Sequence, residues 1–328
     1  MTLRISLACE QYDRTRAIFD GRVRIEGCEL TTLPLHAEEA FHRAFNGAEF
    51  DVTEISGSSY MMTLSRGECP YVAIPAFVSK VFRHSAIYVR ADRGIRTPQD
   101  LVGKRVGMPE YQMTACLWAR GILQDEYGVH PRDIRWFTGG QEEPGRRERS
   151  KLHVDPSVSI TPIGDERTLI AMLAAGELDA VITARAPSSY GVDPNIVRLF
   201  ENFREVESAY FRKTGMFPIM HMIGVRRSLL EREPWLAVSV YKAFVEAKAI
   251  AVHELHDIGV NMVTLPWVNA EVTAAERDLA ADFWSYGLGP NRAALEAMTR
   301  YSFEQGLAAR KLTPEEMFHP GTHEMSRV

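Results

Sequence analysis

Hydrophobic positions along this chain gather in short runs separated by stretches of helical spacing, the pattern of alternating strands and helices. Residues 3–8 read as a strand, 15–19 as a short helix, and 23–33 as a strand broken at Gly27. Residues 37–45 have helical spacing, and 50–56 form a third strand that opens into Gly57-Ser58-Ser59-Tyr60. Residues 71–77 and 85–89 are strand-like, and the polar stretch 92–103, with Pro98, reads as a crossing. A second series starts at Lys104, with a short strand, a break at Gly107 and Pro109, and a helix from Gln112 or Thr114 to Tyr127. Strands follow at 134–137, 160–163 and 178–183, with a helix over 167–175 ending at Gly176. Residues 196–200 read as a return crossing and 218–225 as one more strand. The remainder is mostly helical, at 234–253, 274–283, 292–305 and 314–318.

This alternation predicts an α/β fold, in which ligands meet the loops at strand carboxyl ends. A chain of 328 residues exceeds what one core usually holds. The expected layout is two lobes. Lobe 1 takes residues 1–92 and 200–328, and lobe 2 is an inserted α/β lobe over 93–199. Crossings near 91–96 and 194–202 make a two-strand hinge, with a ligand cleft between the lobes.

Composition removes several function classes. Hydrophobic content of 45% and charged content of 25% are those of an ordinary globular protein, and the formal net charge is -5. With no long basic run, nucleic-acid binding has no footprint. No segment approaches a membrane span, and the N-terminus runs straight into a strand without the apolar core of an export signal, so the expected compartment is the cytoplasm. Cys9, Cys28, Cys69 and Cys116 are scattered, which fits free thiols and not a zinc or disulfide framework. Metal, dinucleotide, Walker and nucleophile-elbow motifs are missing, so no metal and no cofactor are expected.

The stretch 104–118 is the richest in candidate chemistry. A strand turning tightly into a helix exposes backbone N–H groups at the positive end of the helix dipole, a setting that favours an anion. The turn adds Glu110, Tyr111, Gln112 and Thr114, although an ordinary capped βα unit uses the same residue types. Other strand ends offer Arg14, Ser58, Arg83 with His84, Arg185 with Ser188, and His221. Arginines at several strand ends suit carboxylates, because a guanidinium gives two parallel charge-assisted bonds. His84 and His221 are the natural proton carriers, although a lone histidine in an apolar strand such as 217–223 is more often a core residue.

Taken in order, several motifs are similar to those of one family. They are Tyr12-Asp13-Arg14-Thr15, the run 82–90 around Arg83-His84, and the run 107–115. Gly139-Gly140 with Pro144-Gly145-Arg146, Ala184-Arg185-Ala186-Pro187-Ser188, and the run 214–221 ending in His221 complete the set. The chain resembles the 4,5-dihydroxyphthalate decarboxylase family over nearly its whole length. That resemblance implies a type II periplasmic-binding-protein-like fold and a cytoplasmic carboxy-lyase acting on a small aromatic carboxylate. The expected roles are His84 or His221 as proton donor, and Tyr111 or Glu110 at the catechol hydroxyls. Arg83 and Arg185 would hold carboxylates, with Thr114, and Arg14, Ser58, Gln112 and Ser188 would line the substrate. Homo-oligomer formation is also expected. The competing reading is a binding protein of the same fold that captures a small anion without chemistry.

Overall fold

The computed structural model describes residues 2–149 and 152–325. The strands are β1 (Leu3–Cys9), β2 (Cys28–Pro34), β3 (Val52–Ser56), β4 (Tyr71–Lys80), β5 (Ile87–Arg90), β6 (Arg105–Met108), β7 (Arg135–Thr138), β8 (Ile160–Pro162), β9 (Ala180–Ile182), β10 (Ile196–Arg198) and β11 (Ile219–Arg226). The α-helices are α1 (Asp13–Phe19), α2 (Ala37–Gly47), α3 (Gly57–Ser65), α4 (Thr114–Tyr127), α5 (Leu169–Ala174), α6 (Phe203–Thr214), α7 (Arg227–Leu230), α8 (Leu236–His256), α9 (Val268–Asp278), α10 (Arg292–Glu304) and α11 (Pro314–Met317).

The chain divides into two compact units, each with one sheet. The first comprises Met1–Lys80, Thr214–Glu296 and Leu312–Val328, and the second comprises Val81–Lys213 and Ala297–Lys311. Strand order is β2-β1-β3-β11-β4 in one sheet and β10-β5-β9-β6-β7-β8 in the other. The expected crossings at 91–96 and 194–202 thus fall inside the second unit. The physical reason is strand pairing: β10 runs antiparallel to β5, with Ile196 opposite Arg90, and β5 pairs with β9. Residues 196–198 are an edge strand and not a linker.

In the first unit, β11 pairs antiparallel with both β3 and β4, setting His221 opposite Ser56 and beside Ser79. Helix α2 turns Ala37, Ala40, Phe41 and Ala44 inward, the i, i+3, i+4, i+7 stripe of an amphipathic helix, and packs against β3. All five residues of β3 are buried, including Thr53 and Glu54. Helix α3, read from sequence as an open loop, is also largely buried. A helix covered on most sides shows no polar face, so its period is hard to see.

In the second unit, α4 is buried from Thr114 to Leu123 and ends at Gly128 in the left-handed conformation, a standard glycine stop. Gly121 sits mid-helix because a Cβ there would run into the ring of Tyr301, which itself meets Trp118 edge-on at 5.6 Å. Replacing Gly121 by Ala should therefore overpack the core and cost about 1–3 kcal/mol. An unchanged thermal midpoint for the Gly121→Ala protein would show that the ring yields freely.

Candidate active site

Glu54 is the centre of the polar cluster in the first unit. A carboxylate on a fully buried strand needs donors, since a buried charge without partners is strongly unfavourable. It receives them from two directions. The carboxyl end of β1 gives Cys9 Sγ at 3.4 Å, the Glu10 N–H at 3.0 Å and Tyr12 Oη at 2.8 Å. From β11, His221 Nδ1 lies 2.7 Å from Glu54 Oε1. Burial by itself would raise the Glu54 pKa, but the bonds from His221, the Glu10 N–H and Tyr12 outweigh it and hold it below 4.5. Burial and the adjacent Glu54 push Tyr12 and Cys9 upward, so both stay protonated donors.

An ionised Glu54 only accepts, so Nδ1 of His221 carries the proton. The other ring nitrogen, Nε2, makes no hydrogen bond among the described residues, and the side chain is 21% exposed. Phe41 braces the imidazole edge-on, with ring centroids 4.7 Å apart. Arg14 joins the cluster through Tyr12. Its guanidinium carbon lies 4.2 Å from the Tyr12 ring and 4.1 Å from the Trp284 ring. Its Nε donates to the Val78 carbonyl and Nη1 to Asp13. Stacking and these two bonds fix the plane of the guanidinium, leaving other N–H donors at its edge.

The second unit holds the βα turn singled out above, and its donors are already in use. The backbone N–H groups of Tyr111 and Gln112 both point to the carboxylate of Glu148, the latter at 3.4 Å. Glu110, expected at a catechol hydroxyl, is 1% exposed and fully engaged instead. Arg146 reaches it at 2.7 Å, Arg149 at 2.8 Å and Gln112 Nε2 at 3.0 Å. Burial alone would raise its pKa, but Arg149 and Arg146 hold it below the ordinary carboxylate value. The Tyr111 side chain is buried beneath the Arg120 guanidinium, 3.7 Å from the ring centre.

The remaining expected residues fall as follows. His84 is 1% exposed among the rings of Tyr127, Phe200 and Tyr210, with no hydrogen-bond partner for either ring nitrogen among the described residues. Burial depresses it to about 4, so it is neutral near pH 7. Arg83 is buried and depressed to about 10 by the same cause, and Ser58 and Thr114 are buried on α3 and at the start of α4. Arg185 and Ser188 are exposed on the loop after β9, where Ser188 donates through N and Oγ to Glu142. Sequence reasoning passed over Glu54, Tyr12's phenol and Trp284. The available signal was an acid inside a strand that is otherwise apolar or small, because such acids are seldom fully buried unless paired.

Comparison with known proteins gives three results of different kinds. A curated 4,5-dihydroxyphthalate decarboxylase from Comamonas testosteroni is 42% identical over 327 residues, 99% of each chain. A second, from Pseudomonas putida, is 42% identical over 211 residues, 64% of this chain and 82% of the relative. The family model described as the periplasmic substrate-binding protein of a phosphonate ABC transporter matches residues 24–186. Among solved structures, the periplasmic aliphatic sulphonate binding protein of Escherichia coli superposes with a TM-score of 0.55 at 12% identity, covering 98% of this chain and 99% of its own. That likeness gives the fold, an α/β binding-protein fold of two sheet-bearing units.

The Glu54 cluster makes a pH-resolved prediction. Glu54→Gln should lose about 1.5–3 kcal/mol of stability at pH 7, the contribution of a charge-assisted hydrogen bond. Because the folded-state pKa lies below 4.5, that contribution is present above 4.5 and fades as pH falls through the folded value. Denaturation midpoints of the two proteins should converge on acidification. A gap that is constant with pH would mean that Glu54 is not ionised in the folded protein.

Proposed function

Because the chain belongs to the 4,5-dihydroxyphthalate decarboxylase family, we propose that it removes CO2 from a hydroxylated aromatic dicarboxylate, with His221 as the proton donor. The family is one of carboxy-lyases, and 42% identity over almost the whole chain supports 4,5-dihydroxyphthalate as substrate and protocatechuate as product.

Direct loss of CO2 would leave an electron pair in the ring plane, outside the π system. A hydroxyl para to the leaving carboxylate opens another course. Once that hydroxyl has lost its proton to solvent, its electron pair moves through the ring to the ipso carbon, which takes a proton that Nε2 of His221 has first picked up from solvent. The bond from ring to carboxylate then breaks, its electron pair returns to the ring, and CO2 leaves as aromaticity is restored. His221 and the product phenolate regain protons from solvent, so one proton is consumed per CO2.

The observation that carries this mechanism is the 2.7 Å contact between His221 Nδ1 and buried, ionised Glu54. It supports a tautomer with the proton on Nδ1 and Nε2 as the reacting nitrogen. Arg14, held flat between Tyr12 and Trp284, is the proposed grip on a substrate carboxylate. His84, neutral and enclosed by aromatic rings, is a poor proton source by comparison. The four cysteines are free thiols, which supports a reducing, cytoplasmic setting. A homo-oligomeric working form is part of the same reading. Anion capture without chemistry is the second reading, favoured by the fold shared with a sulphonate receptor.

Metal-stripped protein mixed with 4,5-dihydroxyphthalate should release CO2 and protocatechuate at catalytic turnover. His221→Asn should lower turnover about 10²–10⁴-fold, the usual contribution of a general acid, while substrate still binds. His84→Phe should keep its turnover. Binding of the substrate by the unaltered protein without CO2 would favour the receptor reading, and near-normal turnover by His221→Asn would sink the proposed proton donor.

A further inference from the structure

The arm that follows β7 brings two carboxylates of the chain's own onto two sets of donors. Glu142 accepts from N and Oγ of Ser188, at 2.9 and 2.7 Å. Glu148 accepts from the N–H groups of Tyr111 and Gln112 in the turn before α4, a helix of 14 residues. Glu148 is an uneasy occupant of that turn. Of the three arginines around it in sequence, Arg146 and Arg149 are bound to Glu110 and Arg147 to Asp165. Burial raises Glu148 to about 7 and adjacent Glu110 adds to the rise, while the two N–H bonds and Arg120 pull the other way. The turn also contains unmet polar demand. Tyr111 Oη and Gln112 Oε1 are buried, on residues 0% and 1% exposed, with no hydrogen-bond partner among the described residues. A carboxylate ligand that also carries hydroxyls answers both features, with its anion on the N–H pair and its hydroxyls on the orphaned atoms.

We propose that the turn before α4 is a carboxylate subsite which Glu148 fills from within, so that a ligand carboxylate binds by displacing the Glu148 side chain while Arg146 and Arg149 stay on Glu110. Choosing a hydroxylated aromatic carboxylate as the ligand rests on the function proposed above, whereas the displacement itself does not. Glu148 acts as an internal competitor. It keeps the subsite filled by a weak tethered anion and sets the affinity for an external one.

The probe is phthalate, which has two carboxylates and no hydroxyl, so it cannot follow the para-hydroxyl course and reports binding alone. Calorimetry on the full chain should give at least about tenfold tighter binding for Glu148→Ala than for the unaltered protein. Glu148→Gln, which keeps the shape but loses the charge, should lie between them and serves if the alanine protein folds poorly. Equal or weaker binding by both variants, or no phthalate binding by any of the three, would overturn the proposal. If His221→Asn turned over normally while these shifts appeared, the proton-donor assignment would fall and the subsite would stand.

Discussion

A carboxylate in the middle of a strand covered on both faces is the demand around which the first unit is arranged. Glu54 cannot reach water, so the surrounding chain must bring donors to it. Three come from the carboxyl end of β1 and one from β11. Those strands flank β3 on either side, and only the observed registers bring Tyr12 and His221 to the same carboxylate oxygen. A one-residue slip would turn the imidazole to the other face of the sheet and leave the charge short of a partner. The geometry that stabilises Glu54 is also the geometry that prepares His221.

The second unit treats its acids by the same rule and reaches a different result. Glu110 is neutralised by two arginines and an amide, so it is a fixed strut. Glu148, the immediate sequence neighbour of Arg149, accepts from backbone N–H groups and is correspondingly less settled. His84 avoids the problem by losing its charge inside an aromatic cage. Most buried polar groups are thus committed to their own neighbours, whereas Nε2 of His221 makes no hydrogen bond among the described residues.

Much of the architecture was legible because it is local. Strand β4 and helix α8 announce themselves by apolar runs and by helical spacing, and the α/β alternation follows. Helix α6 went unread because its inward residues, among them Glu207 and Ser208, are partly polar. Strand β10 was taken for a linker because three residues carry too little pattern to show a partner. The site was less legible for a different reason. Glu54 and His221 are separated by 167 positions, and nothing in either neighbourhood names the other. Only the pairing of β11 with β3 joins them. The turn before α4 reads from sequence as a setting that favours an anion, but that the chain's own Glu148 reaches its N–H groups depends on how a glycine-containing arm folds back, which residue spacing does not encode.

The position of β11 has a consequence for how the protein is made. The strands of the second sheet are all translated by Arg198, so that sheet can form in one continuous stretch as the chain emerges. In the first sheet, β3 and β4 meet only through β11, which starts at Ile219. Until that residue has left the ribosome, β3 and β4 each expose an unpaired edge, and Glu54 lies beside a gap. The portion of the molecule that is synthesised first is therefore finished last, and a chain stalled before Ile219 would present open strand edges, a hazard for aggregation, together with a carboxylate that has lost its histidine.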